Sequence, residues 1–113
     1  MTDAATKSQG RRTLAESFMR DAQREATPWR SRADLAFEAV YLYALAVLGE
    51  QADDFEHPDP LVLTAAAAKL NMTDEEIRPA VEYLEHRFDL DIPDNGSAYR
   101  VLISIAKLLG SEK

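Results

Sequence analysis

Across residues 35–48 the chain carries a single charged side chain, Glu38. Laid on a helix, the stretch 31–49 puts apolar residues on every side of the cylinder, and such a helix is stable in water only when neighbours cover it. The apolar run 39–48 is too short to span a bilayer, which takes about 20 residues, and a run of this length marks a buried core helix. The sequence therefore predicts an all-α fold, a compact five-helix antiparallel bundle around a buried central helix at about 31–49. At 113 residues the chain has the size of one domain with one core.

The other elements follow from caps and breakers. Residues 1–11 are small and polar and are expected to form a disordered N-terminal tail, with a single helical domain over 12–113. A first helix is expected from Thr13, where Thr13 and Glu16 have the spacing of a capping box, with Leu14, Phe18, Met19 and Ala22 on its inner face. Pro28 breaks the pattern. Ser31 caps the central helix with Asp34 three residues on, and Gly49 ends it. An acidic connector over 50–59 leads to Asp59 and Pro60, the cap and first residue of a third helix. Its expected inward positions are Leu61, Val62, Ala65, Ala68 and Leu70, and Asn71 is its stop.

Thr73 and Glu76 form the clearest capping box, flanked by Met72 and Ile77 as a hydrophobic staple. Pro79 conflicts with an uninterrupted helix. A short turn at 74–77 kinking into a helix at 79–88 is expected, with Ile77, Val81, Leu84 and Phe88 as its stripe. Asn95 and Gly96 read as a turn closing a loop over 89–96. A last helix is expected over 97–109, its wide apolar face built from Tyr99, Leu102, Ile103, Ile105, Ala106 and Leu109, with Gly110 as its stop.

Charge narrows the partners. The formal net charge is −7, which opposes accumulation on a phosphate backbone, so nucleic acid is not an expected partner. The charge is uneven: Lys7, Arg11, Arg12, Arg20, Arg24 and Arg30 stand against four acids in residues 1–30, a balance of +2 that leaves −9 for the rest. That basic third suits an acidic surface, such as the body of a second copy. Nucleic-acid binding through it stays open as an alternative. The chain has no cysteine, so thiolate chemistry and cysteine zinc sites are excluded. The N-terminus has no apolar segment of the secretory kind, and a cytoplasmic location without membrane attachment is expected.

Candidate chemistry is sparse. His57 lies among Asp53, Asp54, Glu56 and Asp59, hard oxygen ligands around one imidazole, but the spacing matches no cation loop, and a solvated loop is expected. Glu82 and His86, four apart, read as a surface pair, without the second Glu-x-x-His that dinuclear bundles use. Asp89, Asp91, Asp94, Asn95 and Gly96 fail the register of a calcium loop, which would need liganding residues where Pro93 and Leu102 stand. No phosphate loop or nucleophile elbow occurs, and neither a metal nor a cofactor is expected. Glu38 is the awkward residue. On an apolar helix it needs a partner or solvent, and Tyr41, Tyr43 or Arg100 could supply the hydrogen bond. Trp29, the only tryptophan, is expected to lie over the entry of the central helix, or to anchor a partner.

The Ala-rich stretch 32–48, with Arg32 at its start and Tyr41 and Tyr43 in its middle, resembles the second helix of small bacterial helical-bundle proteins of the HEPN superfamily, the similarity covering residues 12–50. Members with ribonuclease activity share an Arg followed four to six residues later by His. No arginine stands so before His57, and Arg78 and Arg87 are wrongly placed around His86. The resemblance implies the bundle and pairing of copies, and no catalytic residue is carried across. Two classes remain. The first is a non-enzymatic, acidic helical interaction module, homodimeric, with Trp29, Glu38, Tyr41 and His57 as candidate interaction or polar site. The second is a HEPN-type or carboxylate-metal enzyme.

Overall fold

The computed structural model describes residues 3–56, 58–86 and 95–111 of the chain. Five α-helices follow in order: α1 (Asp3–Ala22), α2 (Trp29–Leu48), α3 (Pro60–Lys69), α4 (Asp74–His86) and α5 (Asn95–Gly110), with a 3-10 helix, Gly49–Asp54, after α2. There is no strand among the described residues. Apart from Ala46, the buried residues of all five helices form one core made only of Ala, Val, Leu, Ile, Phe and Tyr. α2 supplies its centre: Ala33, Ala36, Phe37, Ala39, Val40, Tyr41 and every residue from Tyr43 to Leu48 are buried. This is the enclosure that its nearly uncharged sequence requires.

α1 and α2 are antiparallel. The Ala22 carbonyl at the end of α1 accepts from Arg32 in the first turns of α2, and Ser8 near its start lies beside Gly49 past the end of α2. α5 lies on α2 in the same direction, since Tyr99 meets Trp29 and Arg32 at one end and Gly110 meets Tyr43 at the other. A Cβ at Gly110 would stand 2.9 Å from the Tyr43 ring, so glycine is needed there for the close approach of two helices.

Several expected boundaries move. α1 begins at Asp3, so residues 3–11 are helix rather than a disordered tail. Ala4, Ala5, Lys7, Gln9, Arg11 and Arg12 are good helix formers, and the Thr13 hydroxyl donates to the Gln9 carbonyl at 3.0 Å instead of capping a start. α2 begins at Trp29 behind Pro28, without a side-chain cap; Ser31 is exposed inside its first turn, and Asp34 accepts from the Tyr83 hydroxyl instead. α3 buries Val62, Leu63, Ala66 and Ala67 while Leu61 and Ala68 face out. With apolar residues at nearly every position, periodicity could not choose a face. Contacts outside the helix fix its rotation: Lys69 Nζ donates to the Val47 carbonyl at 2.9 Å, and the Asp59 N–H donates to the Tyr41 hydroxyl at 3.0 Å.

α4 runs through Pro79 as one helix. The N–H missing there would have bonded the carbonyl of Glu75, an exposed first-turn residue that water can reach. Asn95 and Gly96 open α5 rather than forming a turn before it. The expected stripe residue Phe88 and the acids Asp89, Asp91 and Asp94 lie outside the described residues.

Other caps hold as read. Gly49 ends α2 at φ 62° with its N–H on the Leu45 carbonyl. Asn71, at φ 60°, ends α3, with Met72 N–H on Ala67 O at 2.8 Å and Asn71 N–H on Ala68 O at 3.2 Å. Asp59 Oδ1 accepts from the Leu61 N–H at 2.9 Å. At α4 the box is reciprocal: Thr73 Oγ1 accepts from Glu76 N–H at 3.1 Å, and Glu76 Oε1 from Thr73 N–H at 2.9 Å. Thr73→Ala should therefore cost about 1 kcal/mol, read as a lower urea midpoint with an unchanged slope.

Candidate functional site

Of the four residues singled out from sequence, the three among the described residues do not all come together in one site. Trp29 opens α2 and Tyr41 stands twelve positions later, about 18 Å along the helix at 1.5 Å per residue. His57 lies outside the described residues. Among the described residues two polar clusters remain on α2, one near its middle and one at its entry.

The first joins α2 to the start of α3. Glu38 and Tyr41, three apart on α2, share a side of the helix, and the Tyr41 hydroxyl accepts the Asp59 N–H. Burial raises the Tyr41 pKa; the Asp59 N–H bond lowers it in part, and the charges of Asp59 and Glu38 push it up again. At neutral pH the phenol keeps its proton and cannot act as a base. The Asp59 carboxylate already caps α3. Glu38 is half-buried and acts on Tyr41 through its charge, and Arg100 is exposed on α5. Tyr43, farther along α2, has its pKa raised by burial and then by Glu16, against a lowering by Arg12.

The second cluster holds the entry of α2 and was not read from sequence. Arg32 lies between two aromatic rings, its guanidinium carbon 4.4 Å from the centroids of both Trp29 and Tyr99. Its Nε donates to the Ala22 carbonyl at 2.7 Å and its Nη2 to the Tyr99 hydroxyl at 3.2 Å. One side chain thus ties the end of α1, the start of α2 and the start of α5. Trp29 does sit at the entry of the central helix, with its ring 5.6 Å from Tyr99 and 47% of its surface exposed. One signal was available: a cation in the first turns of a helix opposes that helix's dipole, so it has reason to reach a partner elsewhere.

Asp53, considered with His57 as an oxygen ligand, instead receives Lys7 at 3.6 Å and Arg11 at 3.7 Å. Among the described residues no three His, Asp or Glu side chains come together as a cation site. Glu82 and His86 are both exposed on α4. The basic N-terminal third is partly occupied within the chain, since Lys7 and Arg11 share Asp53 and Arg24 pairs with Asp21 at 3.3 Å. No described helix is long and apolar enough to cross a membrane. Set against protein-family models, curated proteins and solved structures, the chain matches none of them.

Proposed function

We propose that this protein is a non-enzymatic, acidic helical interaction module of the cytoplasm that pairs with a second copy of itself. The observation that carries the reading is the division between interior and surface. Chemistry at a protein site depends on polar groups held away from bulk water, and among the described residues the buried set contains no charged or polar residue other than tyrosine. Apolar side chains are left outside on two of the helices that cover α2: Leu61 on α3, and Val101 and Leu108 on α5. Val101 and Leu108, seven apart, share one side of α5 with exposed Ser104 between them. The HEPN-type resemblance supports the same reading, because it carries an expectation of pairing without the nuclease motif.

Light scattering over a concentration series tests this, and a mass that stays monomeric at high concentration ends the self-pairing reading. In Val101→Gln with Leu108→Gln, association should weaken at least tenfold. Withdrawing about half of each side chain from water is worth about 2–3 kcal/mol per copy.

A further inference from the structure

We propose that two copies of this chain pair by exchanging α1, so that each α2 is covered by the other copy's α1. The proposal rests on the self-pairing reading and specifies its geometry.

α1 is the cover held least by apolar burial. Only Ala15 and Ala22 are fully enclosed, Phe18 and Met19 are half-buried against the core and Leu14 faces solvent, whereas α5 buries Leu102, Ile103, Ile105, Ala106 and Leu109. The first half of α1 is held by Lys7 and Arg11 on the exposed carboxylate of Asp53, contacts that salt screens.

The joint permits transfer. Residues 23–28 separate the helices, and Pro28 is extended at φ −58°, ψ 148°. Pro28 also disfavours helical geometry at Thr27, so α1 and α2 cannot merge into one rod. Drawn out, six residues span about 20 Å, enough to pass α1 to a neighbour.

Area and charge favour this mode of pairing. A stable interface buries about 800 Å² per partner, which Val101 and Leu108 alone cannot supply. A helix of 20 residues is about 30 Å long and 10 Å wide, so giving one and receiving one engages on the order of 600 Å² per copy. The remaining area falls to the leftover apolar faces. Any second copy's α1 fits, being the same helix, and its balance of +1, from Lys7, Arg11, Arg12 and Arg20 against Asp3, Glu16 and Asp21, against −8 elsewhere attracts cover to body whichever copy provides it.

The test uses the unmodified chain. Equal amounts of ordinary and nitrogen-15-labelled protein are unfolded and refolded together, and the dimer and monomer fractions are separated by size. Each is treated with a carbodiimide, which joins the Lys7 amine to the Asp53 carboxylate as an amide, and the linked peptides are weighed. Exchange predicts that about half of the Lys7–Asp53 linked peptides from the dimer carry one light and one heavy partner, while those from the monomer carry matched isotopes. A dimer with only matched isotopes overturns the exchange and leaves self-pairing standing. Absence of any dimer overturns both.

Discussion

Phe37→Ala should remove about 3–5 kcal/mol of stability, the cost of truncating a fully enclosed phenylalanine. Phe37 is 1% exposed at the middle of α2, with its ring 5.3 Å from that of Tyr83 on α4 and 6.2 Å from that of Tyr41. Those neighbours cannot collapse into the space. Tyr83 is held by its hydroxyl on Asp34, and Tyr41 by the Asp59 N–H. The lost volume therefore stays as a cavity instead of being refilled. Domains of this size have about 5–15 kcal/mol in total, so the variant should lose a large share of it. At roughly 4 °C per kcal/mol for a chain this long, the midpoint of thermal unfolding falls by about 12–20 °C. Phe37→Leu should recover more than half of the loss. A fall below about 1 kcal/mol, measured by urea unfolding, would mean that α4 is not packed on α2 through this ring.

The elements differ in how much of them the sequence displays, and the reason is the range over which each is determined. The Thr73–Glu76 box, the Asp59 cap and the Asn71 stop are set by residues within five positions of one another, and each stands where reading predicts. The enclosure of α2 is equally legible, because from residue 35 onward it carries one charge and has no solvent face to offer. The rotation of α3 is not, since a run of Leu, Val and Ala presents the same apolar surface on every side and distant contacts from Lys69 and Tyr41 choose among them. α1 misleads in the opposite way. Thr13 and Glu16 have cap spacing, but good helix formers precede them, and the contacts of Lys7 and Arg11 with Asp53 join residues more than forty positions apart. The same holds for the candidate sites. Glu38 and Tyr41 share a helix face and could be paired by counting, whereas the Arg32 cluster joins α1, α2 and α5 and has no local pattern.

Arg32→Ala is the variant that tests that cluster, and it should cost about 2–4 kcal/mol. Two kinds of interaction are lost together. The Nε bond to the Ala22 carbonyl is charge-assisted, short at 2.7 Å and placed at the negative end of the α1 dipole. A hydrogen bond to a charged group contributes about 1.5–3 kcal/mol. Stacking on Trp29 and Tyr99, at 4.4 Å from each ring, adds about 0.5–1 kcal/mol per ring at this degree of exposure. The sum overstates the loss, because both terms depend on one placement of the same guanidinium. Arg32→Lys separates charge from shape. An ammonium keeps the attraction to the carbonyl but cannot lie flat between two rings while donating at both ends, so it should restore less than half of the stability. Trp29 reports the change directly as the only tryptophan, its emission moving to that of a hydrated indole in the alanine variant. Because Arg32 also fixes the exit of α1, the alanine variant should detach α1 at lower denaturant than it unfolds α2 and α5, visible as hydrogen exchange accelerated in residues 6–22 ahead of the core. Uniform acceleration across all five helices would instead make Arg32 an ordinary core contact and remove its role as the pin between cover and body.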